Sequence, residues 1–222
     1  MPERGAPLIV GTGTNSTADS LDAVTRLVPD AAYAMTVVPY YTRPSEDGVV
    51  AHFRALAEAA PVPLIVYNVP YRTGRELSAQ ALLRVAALPG VVGFKHAVGG
   101  IDETTIGMFD GLPEDFSVLV GDDLFLGPMM ALGAVGGILA SAHVETAAFG
   151  ELIDAWRDGQ VTRGRQLGRR LAPVSRALFA EPNPAVIKGV LHARGRIPSA
   201  RVRLPLMPAT ESATKAALAT LS

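Results

Sequence analysis

Short apolar runs rich in β-branched residues alternate with amphipathic stretches through much of the chain. The runs are residues 7–13 (PLIVGTG), 31–40 (AAYAMTVVPY), 62–70 (VPLIVYNVP), 91–99 (VVGFKHAVG), 116–122 (FSVLVGD) and 135–144 (VGGILASAHV). Their apolar residues are continuous rather than alternating with polar ones, which is the pattern of strands covered on both faces. Helical signals fill the gaps. Asn15, Ser16 and Thr17 offer N-caps for a helix reaching about Leu27. Pro44, Ser45 and Glu46 open another, whose Val49, Val50, Phe53, Leu56 and Ala57 make one face. Ser78 starts a third, which runs through Leu82, Leu83 and Val85 and stops at Pro89-Gly90.

Six strands with helices between and after them predict a parallel sheet of βα units. Their spacing, roughly 25–30 residues, suits a doubly wound sheet and a (β/α)₈ barrel alike, and pattern leaves that choice open. From about residue 146 the strand signals stop. Helices are expected at 146–157, 161–180, 184–194 and 210–221, so a C-terminal helical domain at 146–222 follows a (β/α) portion at 1–145.

Composition narrows the partners. The 222 residues hold 20 basic and 21 acidic side chains, and no segment collects cations with interleaved aromatics. Nucleic acid, which needs a concentrated positive field, is therefore not an expected partner. There are no cysteines, which removes disulfide frameworks and thiol chemistry. The longest uncharged run, Leu124–His143, approaches the length of a membrane span. It contains Pro128 and four glycines and follows Asp122 and Asp123, so a buried helix, a turn and a strand account for it better. A soluble, cytoplasmic protein is expected.

In parallel βα folds, ligands sit at the carboxyl ends of the strands. Residues at those ends include the Gly11–Asn15 turn, Tyr40 and Tyr41, Tyr67 with Arg72, Lys95 with His96, Asp122 and Asp123, and Ser141. Lys95 stands out, because the chain uses 17 arginines and only three lysines, and this one lies inside an apolar run. A lysine can lose its proton and attack as an amine, which arginine cannot. Tyr67 ends the preceding run, where a phenol can carry the proton transfers of imine formation. Arg72 offers a fork suited to a carboxylate. Taken alone, each also fits an ordinary structural part: a lysine snorkelling to solvent, a core tyrosine bonded at the rim, a loop arginine. GTGTNS at 11–16 has Ser16 where a dinucleotide loop requires its third glycine, so that match is weak. Asp122-Asp123 reads as a cap for the helix that follows rather than as a metal site, and neither a metal nor a cofactor is expected.

These residues resemble the dihydrodipicolinate synthase and N-acetylneuraminate lyase family of class I aldolases. GTGTNST, VVPYYTRPSEDG, VYNVPYRTG, VGFKHAVG, VGDD, EPNPAVIK and VRLPLMPATES match it in order and spacing, from about residue 5 to 221. The resemblance implies a (β/α)₈ TIM barrel with a C-terminal helical domain. This chain begins at what resembles the third strand, and so carries about six βα units. It also implies that Lys95 forms an imine with pyruvate or another 2-oxo acid, that Tyr67 is the general acid/base, and that Tyr41 reaches a neighbouring subunit's site in a homo-oligomer, dimer or tetramer. Arg72 would hold the carboxylate of the second substrate, an aldehyde, and Ile138 would lie beside the bound oxo acid. The arginine after the YNVP block is closer to the synthase branch than to the lyase branch.

Three departures accompany the likeness. The family's Gly-Thr-Thr-Gly-Glu-like motif, which holds the pyruvate carboxylate and relays protons, has no counterpart in these 222 residues. His96 replaces a common glutamate, and Tyr71 fills a position that is usually small. A synthase, an aldolase of sugar-derived 2-oxo acids and a catalytically impaired paralogue all remain open, and a 222-residue chain of low activity is expected.

Overall fold

The computed structural model describes residues 5–221, which form two compact units. One comprises residues up to 121 together with 132–134, and the other comprises 122–131 and the residues from 135 onward.

The first unit is a run of βα repeats. Strands β1 (Leu8–Gly11), β2 (Ala31–Val37), β3 (Leu64–Asn68), β4 (Val91–His96) and β5 (Ser117–Val120) pair in sequence order, each parallel to the next. Between them lie α1 (Thr17–Thr25), α2 (Glu46–Ala59), α3 (Pro70–Thr73), α4 (Ala79–Ala86) and α5 (Glu103–Gly111). The helix starts follow the capping chemistry of the sequence. Ser16, Ser45, Ser78 and Asp102 occupy the N-cap positions of α1, α2, α4 and α5, and each side chain accepts from a backbone N–H in the first turn. The short α3 was not legible as periodicity. It begins on Pro70 and stops at Gly74, whose φ of +71° is a conformation that glycine adopts without penalty.

Both faces of this sheet are covered, but to different degrees. Ala34, Thr36, Val66, Phe94, Val118 and Val120 are buried. The alternate positions Tyr33, Met35, Val37, Tyr67, Lys95 and Leu119 are only half-buried. A continuous apolar run reads the same whether its second face is packed or merely half-covered, so periodicity could not separate the two cases.

The second unit holds α6 (Leu126–Ala131), β6 (Gly136–Gly137), α7 (Thr146–Arg157), α8 (Val161–Leu178), α9 (Ala185–Ala193) and α10 (Glu211–Ala219). The four long helices fall where they were expected. A core of Val144, Val174, Leu178, Val186, Ile187, Val190 and Ala217 joins the last three of them. The run at 135–144 is a strand over only two residues, followed by a turn of 3₁₀ helix at Ser141–His143. Two glycines bring no side chain to hold a longer strand, and the Ser141 N–H is taken by the Asp123 carboxylate at 2.5 Å. That contact corrects the cap reading of the acidic pair: Asp122 makes no side-chain cap, and Asp123 is buried against Ser141 instead. Burial pushes the Asp123 carboxyl above the usual carboxylate range. Among the described residues no helix is long and apolar enough to cross a membrane.

Candidate active site

β3 and β4 run parallel with Tyr67 directly opposite Lys95 and Asn68 directly opposite His96. Successive residues of a strand point to opposite faces. Tyr67 and Lys95 therefore share the half-buried face, and Asn68 and His96 share the buried one.

On the half-buried face the Lys95 Nζ lies 4.1 Å from the centroid of the Tyr67 ring. An ammonium over a phenol face is held electrostatically at low cost in side-chain freedom, so the amine and the phenol are preassembled. Behind Lys95, Gly121 leaves room for its stem: a Cβ there would fall 2.7 Å from the Ala97 Cβ and 3.3 Å from the Lys95 Cε.

On the buried face a polar chain ties the two strands to α5. The Asn68 Nδ2 lies 3.4 Å from the His96 Nδ1, and the His96 Nε2 lies 3.3 Å from the Thr105 Oγ1. Thr105 in turn donates to the Asp102 Oδ1 at 2.8 Å. Two hydrogen bonds from Thr105, its backbone N–H first, hold the Asp102 carboxyl below its ordinary range. This chain makes the replacement of glutamate by His96 intelligible, since the imidazole fits between an amide donor and a hydroxyl acceptor. Asp102 and Thr105 were not singled out in the sequence, and only the N-cap spacing could have pointed to them.

A cavity of about 410 Å³ opens beside Tyr67, lined also by Gly11, Met35, Val37, Tyr40 and Arg72. Arg72 stands on α3 with its guanidinium 5.7 Å from the centroid of the Tyr71 ring. Tyr41 is 87% exposed and has a φ of +70°, and it does not line that cavity. Ile138 directly follows β6 in the second unit. The first unit thus brings together Lys95, Tyr67 and, at the cavity wall, Arg72. Among the described residues no group of three or more His, Asp or Glu side chains is placed to hold a metal ion.

Comparison with known proteins gives a consistent picture. The sequence model of the Dihydrodipicolinate synthetase family matches residues 3–222. The 4-hydroxy-tetrahydrodipicolinate synthase of Neisseria gonorrhoeae is 40% identical over 207 residues, which are 92% of this chain and 70% of that protein. The crystal structure of dihydrodipicolinate synthase from Thermotoga maritima superposes with a TM-score of 0.93 at 32% identity, covering 97% of this chain and 74% of that one. A dihydrodipicolinate synthase from Acinetobacter baumannii, solved in complex with pyruvate, gives 0.90 at 34% identity over 97% of this chain and 74% of that one.

Proposed function

Because the chain belongs to the dihydrodipicolinate synthetase family, we propose that it is a class I aldolase-type lyase, joining pyruvate to an aldehyde through an imine on Lys95. The activity is that of the 4-hydroxy-tetrahydrodipicolinate synthases it is similar to, with aspartate semialdehyde as the first aldehyde to test. The observation that carries the assignment of roles is the preassembled pair, Lys95 Nζ over the Tyr67 ring at 4.1 Å, on adjacent parallel strands.

The Lys95 ammonium first gives up a proton to solvent, the free amine attacks C2 of pyruvate, and the resulting carbinolamine loses water to give the imine. Tyr67, in contact with the amine, supplies a proton to the departing hydroxyl and recovers one from the nitrogen. The imine nitrogen then accepts the electron pair left when C3 loses a proton, and the enamine attacks the aldehyde carbon. The new alkoxide takes up a proton, and water releases the product from Lys95. Arg72, on the cavity wall, holds the aldehyde's carboxylate. Ile138 is assigned a place beside the oxo acid, and Tyr41 a place in the site of a second copy within a homo-oligomer. The division into a barrel portion at 1–145 and a helical domain at 146–222 belongs to the same proposal.

The test is to incubate the chain with pyruvate and borohydride and to locate the adduct by mass spectrometry. A reduced pyruvyl adduct on Lys95, absent in Lys95→Arg, is expected. Adduct on Lys188 or Lys215 in place of Lys95 would refute the assignment.

A further inference from the structure

The polar chain behind Lys95 and Tyr67 has a fixed order of donors and acceptors. The Thr105 backbone N–H, more than its hydroxyl, holds the Asp102 carboxyl below its ordinary range, so that group is ionised and only accepts. It takes the one hydroxyl proton of Thr105 at 2.8 Å. With that proton committed, the Thr105 Oγ1 meets the His96 Nε2 at 3.3 Å as an acceptor, which places the ring proton on Nε2. The Nδ1 of the neutral ring is then a lone pair, and it accepts from the Asn68 Nδ2 at 3.4 Å. The reverse amide would set Oδ1 against that lone pair, and the Asn68 Oδ1 accordingly has no partner. Asn68, His96 and Thr105 are all buried, so water does not blur this order.

The chain joins β3, β4 and α5 at the carboxyl ends of the two strands. There the Ala97 N–H donates to the Asn68 carbonyl at 2.9 Å. Asn68 and His96 are opposite each other in register, as Tyr67 and Lys95 are one residue earlier. Consecutive residues share a rigid peptide plane and point to opposite faces. A turn of Asn68 or His96 on the buried face therefore turns Tyr67 or Lys95 on the other. The 4.1 Å contact between the Lys95 Nζ and the Tyr67 ring depends on that relation.

We propose that His96, as its Nε2–H tautomer, is a positioning residue for the reaction. It clamps β3 to β4 and α5 from the far face of the sheet, and so holds the Lys95 amine against Tyr67. The inference rests on Lys95 and Tyr67 being the reacting pair, as argued above, and adds a residue on the face away from both of them.

The test times adduct formation by quenching with borohydride over a range of pyruvate concentrations, on chains whose urea midpoints show them folded. Gln keeps the order of the imidazole, with a carbonyl oxygen for Asn68 and an amide N–H for Thr105, whereas Leu offers neither. His96→Leu should slow the limiting rate at saturating pyruvate roughly tenfold, within the 10²-fold that about 1 Å of misplacement can cost. Half-saturation should stay where it is, and His96→Gln should recover most of the rate. Thr105→Val, which removes the acceptor of the Nε2–H but keeps the side-chain shape, should slow the rate in the same direction and serves where His96→Leu does not fold. A second readout needs no imine. Acetic anhydride labels lysines, with Lys188 and Lys215 as references in the same chain. An ammonium held over a ring is protected, so His96→Leu should raise Lys95 labelling relative to those two by about two- to fivefold, the worth of a cation–π contact. An unaltered limiting rate in His96→Leu, a shift in half-saturation in place of a rate loss, or a His96→Gln chain as slow as His96→Leu would overturn the proposal. If the unaltered chain forms no Lys95 adduct, the imine assignment fails and the labelling ratio alone decides the clamp, an unchanged ratio overturning it.

Discussion

His52 shows how one residue's surroundings set a measurable property. It lies on α2, is 4% exposed, and has its Nδ1 2.9 Å from the Thr17 Oγ1 while its Nε2 has no partner. Burial lowers its pKa from 6.5 to about 4, because an imidazolium there loses its hydration without gaining an anion. The folded state therefore binds fewer protons than the unfolded state between those values. Stability is complete above about pH 6.5 and falls as the pH drops toward 4, by about 2 kcal/mol at pH 5 and about 3 kcal/mol in all. Urea unfolding at pH 7.5 and pH 5 should show that difference, and His52→Asn, which cannot gain a proton there, should shrink it. An undiminished pH slope in the variant would refute the assignment. At this scale Lys95 and Tyr67 drew attention in the sequence because each is chemically out of place at the end of an apolar run, and the structure puts them in contact.

Among the elements, β4 is the most tightly constrained. Gly93 lies two residues before Lys95 on the same face, and an added Cβ would come 2.6 Å from the Ser117 carbonyl oxygen on β5. Backbone cannot give way there as a flexible side chain would, so Gly93→Ala should force the two strands apart. The expected cost is about 1–3 kcal/mol, typical of overpacking, read as a lower urea midpoint. The yield of trapped pyruvate adduct should fall with it, because the shift occurs one turn of the pleat from the amine. An unchanged midpoint would contradict the close approach. Gly93 carried no signal in the sequence, since a lone glycine inside an apolar run is equally compatible with a bulge. The long C-terminal helices were legible from the Gly-, Pro- and Arg-rich turns that separate them. The two-residue β6 was not, because the run VGGIL has the composition of a strand while its glycines and the Asp123–Ser141 contact decide otherwise.

For the whole molecule, the half-buried face of the β1–β5 sheet matters most. Met35, Val37, Tyr67 and Leu119 are apolar or aromatic yet only half-covered, and Tyr41 is 87% exposed on a backbone held left-handed. Exposed apolar surface of this kind favours association, and a second copy that covers Tyr41 fits the proposed homo-oligomer. Sedimentation at micromolar concentration should show at least a dimer, and a stable monomer would count against it. The same openness bears on catalysis by the 222-residue chain. Water reaching Lys95 and Tyr67 raises the local dielectric and weakens every charge interaction in the imine pathway. The 222 residues also contain no Gly-Thr-Thr-Gly-Glu-like segment to hold the pyruvate carboxylate. Losing one preorganised donor at an anionic site costs about 10²–10³ in rate, and loss of a proton-relay partner a further 10²–10⁴, roughly. The expected outcome is a chain that forms the Lys95 adduct with pyruvate but condenses it with aspartate semialdehyde several orders of magnitude more slowly than the Neisseria gonorrhoeae synthase assayed beside it. Matching rates in that assay would refute the argument and require that other residues of this chain bind the carboxylate. An adduct with slow turnover would locate the deficit after imine formation, where C3 must lose a proton and the enamine must meet the aldehyde in a site open to water.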